Sequence, residues 1–307
     1  MALVDKLPEL AAHMPEVHEL KVLQTGSGDG AFDALSNFLA RVLAVADRLD
    51  TLAGGFAAGQ KPSGNKDPFA LRRNALGLAR TLIEGQMECS LTAMLGRACE
   101  LVALDMAGKG GEKKAAALQQ VSNADPAMLE ELTSFVLDRL RSYYADQGFN
   151  AAQFDAVATL GKDNPAGSPV SSLLDFDHRL RAIAEFSSLP EAPALAAANK
   201  RIRNILRKFE GVIPAQVDRA LLAEPVEHTL ADAVDAASRD TDPLLAARDY
   251  VGVLRRLAAL RAPVDAFFDG VMVMADDPAV RGNRLALLAR LADRFAAVAA
   301  VEQLSNA

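Results

Sequence analysis

The chain has 307 residues, of which 50% are hydrophobic, and its formal net charge is −7. A domain usually has about 100–200 residues, so this length predicts two domains. Only 5% of the residues are aromatic, and the apolar content is mostly Ala and Leu, which favours helices over sheets. The negative charge counts mildly against a nucleic-acid binder, a class that is more often basic, unless positive charge is gathered locally.

Two other protein classes are disfavoured. No segment approaches the roughly 18 consecutive apolar residues that cross a bilayer, and the first residues have early acids and no long apolar run, unlike a signal peptide. We therefore expect a cytoplasmic protein.

Cys89 and Cys99 lie ten residues apart in one predicted helix, a rise of about 15 Å. A disulfide needs Cα atoms within about 7 Å, so we expect two reduced, partly buried thiols.

The N-terminal half is predicted to be helices separated by glycine-rich loops. The glycines of 24–30 are not followed by the Lys and Ser or Thr of a phosphate loop, so this stretch is predicted to be an ordinary loop. A helical pattern over 31–57 is predicted to stop at Gly54 and Gly55. The pair Asp67-Pro68 is predicted to start the next helix, with Asp67 as N-cap and Pro68 as first helical residue.

The helical pattern continues to the C-terminus. Residues 86–160 contain further helices, one of them opened by Asp125-Pro126. The Gly-, Pro- and Ser-rich stretch 161–170 is the predicted domain boundary. Two helices follow in 171–209. Three or four follow in 210–307, where Asp-Pro pairs occur at Asp242-Pro243 and Asp277-Pro278. The sequence therefore predicts an all-α fold with two helical domains.

A local concentration of positive charge is the strongest functional signal. No acid occurs between Ala194 and Phe209, and the stretch carries five cations: Lys200, Arg201, Arg203, Arg207 and Lys208. At 100° per residue, Lys200, Arg203 and Arg207 share one helical face. Such a face neutralises several phosphates of a nucleic acid, although an ordinary solvated helix face has the same pattern.

Weaker cationic signals occur elsewhere. Lys66, Arg72 and Arg73 surround a predicted helix start, where the helix dipole opposes positive charge, so each needs a partner such as Asp67, another acid or RNA. Arg281 and Arg284 share one face of the last predicted helix, whose core stripe is formed by Leu285, Leu288 and Leu291. Phe267 and Phe268 are the type of side chain that stacks on an unpaired base, but their apolar surroundings favour core packing.

Three stretches carry a resemblance to a known family. They are Ala46–Glu84, with the specific string KDPFALRR, then Ala194–Glu210 and Val264–Phe295. They resemble the C-terminal portion of the β subunit of the bacterial-type, two-subunit glycyl-tRNA synthetase. The resemblance covers roughly 40–305 and comprises the end of an HD-like helical domain and a DALR-type anticodon-binding domain, which arginyl-tRNA synthetases share.

The resemblance implies the organisation of the chain and its function. Residues 1–40 are unmatched, 41–165 are a remnant of the HD-like domain with a helical body, and 166–307 are an anticodon-binding helical bundle. The implied role is to bind tRNA-Gly and to support ATP-dependent glycine attachment by the α subunit, within a heterotetramer. ATP and Mg²⁺ belong to the α subunit. This chain is expected to have no cofactor or catalytic residue, no activity alone, and no DNA or membrane partner. The implied tRNA contacts are Lys66, Arg72, Arg73, Lys200, Arg201, Arg203, Arg207, Lys208, Arg281 and Arg284.

Two other functions are compatible with the ways in which this chain differs from the family. The family's β subunit is longer, so the chain is expected to be a fragment, a divergent truncated protein or an engineered chain. One rival is a helical scaffold that kept the fold and lost tRNA binding. Another is an HD-type phosphohydrolase, which the lack of a His-Asp pair disfavours, although Asp47 and Asp50 share a face. Cations clustered on one concave face favour RNA, and acid-paired arginines favour the scaffold.

Overall fold

The computed structural model describes residues 29–108, 126–160 and 172–306. These residues form helices and loops without a β-strand, which confirms the all-α prediction. They divide into two compact units: an N-terminal unit of 29–108, 126–147 and 172–175, and a C-terminal unit of 148–160 and 176–306. The predicted boundary at 161–170 lies outside the described residues.

The N-terminal unit is built on one long helix. Its helices are α1 (Asp29–Ala57), α2 (Leu71–Glu84), α3 (Leu91–Gly108) and α4 (Pro126–Asp146). α1 packs against the other three, and α4 also packs against α2 and α3. Phe56 of α1 meets Phe135 of α4 edge to face, with ring centroids 5.3 Å apart. The apolar stripe of α1 thus forms one side of a shared core.

The glycine pair in α1 does not end the helix, so this prediction was wrong. α1 continues through Gly54 and Gly55 to Ala57. A β-carbon on Gly55 would lie 2.9 Å from the Cδ1 and Cδ2 atoms of Leu71, a fully buried residue at the start of α2. Gly55 therefore permits a close helix contact, whereas a β-carbon on Gly54 would meet nothing within 4 Å.

The start of α2 also differs from the prediction. The helix begins at Leu71 rather than Pro68, and Ala70 before it has a left-handed backbone (φ 54°). Asp67 nevertheless satisfies the helix start, because its carboxylate accepts hydrogen bonds from the backbone N–H groups of Leu71 (2.8 Å) and Arg72 (3.0 Å). The predicted N-cap position was therefore wrong, since Ala70 is the N-cap, but the Asp67 side chain still accepts from the first N–H groups of the helix.

The C-terminal unit contains seven α-helices among its described residues. They are α5 (Ala151–Ala158), α6 (Leu173–Ser187, in this unit from Phe176 onward), α7 (Ala192–Lys208), α8 (Pro225–Ala246), α9 (Tyr250–Ala258), α10 (Arg261–Gly270) and α11 (Pro278–Ala296). α8 packs against α9, α10 and α11, while α7 packs against α10 and α11. A final 3₁₀ segment, Val301–Asn306, packs on α7 and α5.

The Asp-Pro pairs have different outcomes. Pro126 begins α4 and Pro278 begins α11, where Asp277 caps the N–H groups of Ala279 and Val280. Pro243 instead lies inside α8. A proline at a helix start is favourable only where the preceding chain is not already helical.

Two further properties follow from the described helices. Cys89 and Cys99 are buried free thiols, and burial raises the pKa of each. Their placement in one helix was wrong, because Cys89 precedes the first residue of α3, Leu91. Within 29–108, 126–160 and 172–306, no helix has the length and hydrophobicity that would let it cross a membrane.

The two glycines of α1 provide a matched stability test. We expect Gly55→Val to lower the free energy of unfolding by about 1–3 kcal/mol, because its side chain overlaps Leu71. Gly54→Val places the same side chain in open space and should be neutral or slightly stabilising, since valine forms helices better than glycine. Chemical denaturation followed by circular dichroism measures both, and equal effects would contradict the close contact.

Candidate nucleic-acid interface

Helix α7 has one buried face and one cationic face, as predicted. Leu195, Ala196, Asn199 and Ile202 are buried. Of the other predicted stripe residues, Ile205, Leu206 and Phe209 are only half-buried. The helix is therefore anchored mainly through its first three turns.

Four of the five predicted cations of α7 are exposed: Lys200, Arg201, Arg207 and Lys208. The guanidinium carbon of Arg201 lies 4.2 Å from the ring centroid of Phe268 on α10, a cation–π contact. Arg207 donates a hydrogen bond to Oδ1 of Asn204 (2.8 Å), a neutral partner. Arg207 and Lys208 lie in the last turn, where the helix dipole favours positive charge.

Arg203 is held differently from its neighbours. Its Nε is buried without a hydrogen bond and lies 3.9 Å from Oε1 of Glu302, in the final 3₁₀ segment. Oε2 of the same carboxylate accepts a hydrogen bond from Nδ2 of the buried Asn199 (2.7 Å). Glu302 was not predicted as a site residue, because nothing in the sequence pattern connects it to a helix about 100 residues earlier.

Arg284 is buried, whereas contact with tRNA requires an accessible side chain. Arg284 is 8% exposed, and its Nε and Nη2 donate to the two carboxylate oxygens of Glu227 (2.7 and 3.2 Å), which is fully buried. Its Nη1 donates to the carbonyl of Met272 (2.8 Å). The sequence contained a signal for this burial: Arg284 is on the same helical row as Leu288, Leu291 and Phe295, all of them buried.

The remaining predicted contacts are scattered. Nη1 of Arg281 donates to the carbonyls of Ala275 (2.8 Å) and Asp276 (3.4 Å). In the N-terminal unit, Lys66 and Arg73 are exposed. Nη2 of Arg72 donates to the carbonyl of Gly64 (2.7 Å), so one partner of this guanidinium is a backbone carbonyl.

The aromatic pair Phe267 and Phe268 and the acidic pair Asp47 and Asp50 lie in different environments. Phe267 is fully buried and Phe268 half-buried, which confirms core packing. Asp47 and Asp50 are exposed on α1. Within the part of the chain that the structure describes, no three His, Cys, Asp or Glu side chains are grouped to hold a metal ion.

Other arginines of the C-terminal unit are paired with acids. Arg219 bonds Asp232 and Asp235, and further pairs are Arg255–Glu185, Arg256–Asp240, Arg290–Asp235 and Arg294–Asp242. These pairs neutralise positive charge on α9, on α11 and in the turn that precedes α8. On the predicted cationic face of α7, Lys200 and Arg207 are exposed, whereas Arg203 is half-buried.

Two family models match the chain. A model described as glycyl-tRNA synthetase beta subunit matches 26–159, and a model of the DALR anticodon binding domain matches 195–301. The first match begins at residue 26, within the segment 1–40 for which no family resemblance was predicted. The second begins within α7 and ends after α11, so it includes the cationic face.

Curated relatives agree with these models. The chain is 56% identical over 268 residues to a glycine–tRNA ligase beta subunit of Xanthomonas campestris, an alignment covering 87% of this chain and 36% of that protein. It is 47% identical to the beta subunit of Xylella fastidiosa, an alignment covering 98% of this chain and 41% of that protein. It is 46% identical to the beta subunit of Pseudomonas aeruginosa, covering 88% of this chain and 36% of that protein. The chain thus spans about two fifths of the length of these relatives.

The buried pair of Glu227 and Arg284 predicts a strong asymmetry between single and double variants. Arg284→Met leaves a buried carboxylate without its counter-charge and should destabilise the C-terminal unit by about 3–5 kcal/mol. Adding Glu227→Gln, whose amide oxygen still accepts the backbone hydrogen bonds, should recover part of this loss. Denaturant unfolding measures both variants, and a single variant as stable as the parent would contradict the structural role of Arg284.

Glu227 also predicts how stability depends on pH. Burial raises the pKa of Glu227, but hydrogen bonds from Arg284 and from the backbone of Glu224 and Ala223 outweigh it and hold the pKa below its usual value. The ionised carboxylate of Glu227 therefore stabilises the folded state fully above the pKa of glutamate in the unfolded chain, about 4.3. This stabilisation is lost as the pH falls through the lowered pKa that Glu227 has in the folded state. Between about pH 6 and pH 3, the parent should lose more stability than Glu227→Gln. The measurement is the free energy of unfolding of both proteins against pH. Parallel curves would contradict a lowered pKa for Glu227.

Proposed function

The chain belongs to the glycyl-tRNA synthetase β-subunit family, and we propose that it is the tRNA-binding portion of such a subunit. In this proposal it binds tRNA-Gly in the cytoplasm and presents it to a separate α subunit, within a heterotetramer. The α subunit binds ATP and Mg²⁺ and attaches glycine, so this chain alone has no aminoacylation activity and needs no cofactor.

One observation carries the proposal: the exposed cationic face of α7 lies inside the region that matches an anticodon-binding domain. A helix with several accessible Lys and Arg side chains neutralises phosphates and releases their counterions, which supplies affinity. Such contacts fix the register of the RNA but do not read its sequence. Discrimination between anticodons therefore depends on contacts with bases, made by other residues of the C-terminal unit. We expect these contacts to involve the two cytosines that end glycine anticodons.

We propose a smaller set of phosphate contacts than the sequence alone suggests. Arg284 is excluded by its burial, and Arg281 is engaged by backbone carbonyls. The main set is Lys200, Arg201, Arg203, Arg207 and Lys208. Lys66, Arg72 and Arg73 belong to the N-terminal unit and form a second, weaker candidate set, in which Arg72 also has a structural bond to Gly64.

Binding of tRNA-Gly by fluorescence anisotropy over a salt series tests the proposal. We expect the wild-type chain to bind at low salt and to bind more weakly when the anticodon is changed. The double variant Arg207→Gln/Lys208→Gln should weaken binding and reduce the slope of log K against log salt by about 1.5–2, because two phosphate contacts are lost.

The matched control is Arg255→Gln/Arg256→Gln, which removes the same charge from two arginines that pair with Glu185 and Asp240 on the same unit. This variant should keep the slope of the wild type. Equal effects of the two double variants would show that only net charge matters. No binding at low salt, or equal binding to every tRNA, would leave the scaffold as the better account.

A further inference from the structure

The buried contact between Glu302 and α7 consists of three side chains. Asn199 is 2% exposed and donates from Nδ2 to Oε2 of Glu302, and its own Oδ1 has no hydrogen bond. Arg203 lies one helical turn later, with its buried Nε 3.9 Å from Oε1 of the same carboxylate. The side chain of Glu302 is only 21% exposed, so it is a fixed anion beside the cationic face.

We propose that Glu302 is a positioning residue, which holds Arg203 in the orientation that contacts an RNA phosphate. This inference rests on the proposed function of the chain. A guanidinium group has two hydrogen-bonding edges that matter here. The Nε atom of Arg203 is buried towards Glu302, while 38% of the side chain is exposed. The terminal nitrogens are therefore left for a phosphate, which they bind in a bidentate manner.

The energetic argument is one of preorganisation. A free arginine side chain has large rotamer entropy, part of which is lost when it binds a phosphate. Asn199 anchors the carboxylate of Glu302, and the carboxylate attracts Arg203, so the arginine is already ordered before RNA arrives. The same carboxylate also repels phosphate directly. Positioning of Arg203 by Glu302 raises the affinity for RNA, whereas repulsion of phosphate by Glu302 lowers it. Removing the charge of Glu302 therefore shows which of the two effects is larger.

The experiment compares tRNA-Gly binding by the wild-type chain, Glu302→Gln, Arg203→Ala and the double variant. Glutamine keeps an oxygen that accepts from Asn199 but removes the charge that attracts Arg203. We expect Glu302→Gln to bind about 3- to 10-fold more weakly than the wild type. In the Arg203→Ala background the same substitution should change the dissociation constant by less than about 2-fold, because the effect acts through Arg203.

Asp240→Asn is the matched control. It also removes one negative charge beside an arginine, Arg256, in the C-terminal unit but away from α7. Its dissociation constant should equal that of the wild type or be slightly lower. Absence of binding by the wild type at low salt would refute the proposed function itself. Binding by the wild type, with Glu302→Gln equal or tighter or with an undiminished effect in the Arg203→Ala background, would overturn only the positioning role.

A thermal melt of each variant shows whether it is folded. If Glu302→Gln unfolds, Arg203→Lys tests the same idea, because lysine keeps the charge but has no second edge for Glu302 to hold. A folded Arg203→Lys variant should bind several-fold more weakly than the wild type. Binding equal to the wild type would overturn the positioning role.

Discussion

A single buried carboxylate, that of Glu227, connects several parts of the C-terminal unit. It accepts hydrogen bonds from the backbone N–H groups of Ala223 and Glu224 at the start of α8, and from two nitrogens of Arg284 on α11. A buried charge costs several kcal/mol unless it is paired and fully hydrogen-bonded. Because Arg284 also bonds the carbonyl of Met272, the same interaction fixes the segment that follows α10. The unit therefore has little freedom to rearrange α8 and α11 independently.

The residues that precede Arg284 extend this constraint to the candidate interface. Asn283 accepts from the N–H of Asp218 and donates to its carbonyl (2.7 and 2.9 Å). A β-carbon at Gly282 would lie 3.4 Å from Pro214, so the loop passes close to the α11 backbone. Pro214 and Asp218 belong to the loop that leaves α7 directly after its last cations. The buried ion pair thus holds the turn of α11 against which the exit of α7 is fixed.

Local sequence patterns predicted the helices well where the determining forces were local. The amphipathic face of α7 and the starts of α4 and α11 at proline follow from periodicity and from the missing N–H of proline. The errors arose where tertiary contacts decide. Gly55 is needed because Leu71 approaches α1, and no local rule contains that neighbour. Pro243 is tolerated because the helix around it is held by packing on other helices.

The candidate interface was only partly predictable for the same reason. The run of cations in α7 is visible in the sequence, since five occur without an acid. Which of them is accessible depends on partners far along the chain, such as Glu302 for Arg203. For Arg284, spacing relative to Arg281 suggested a shared exposed face, whereas spacing relative to Leu288 and Leu291 indicated the core. The second spacing determines the outcome because two buried leucines outweigh one polar neighbour in free energy.

The acidic net charge is compatible with an RNA-binding face because most of the charge acts locally. At physiological ionic strength the field of an exposed charge decays over about 8 Å. Acids on α8 are held close to arginines of the neighbouring segments, and each such pair is nearly neutral when seen from a distance. α7 contains no acid, and the carboxylate of Glu302 lies 3.9 Å from the buried Nε of Arg203. A phosphate approaching α7 is therefore affected mainly by that helix and only weakly by the charge of the whole chain.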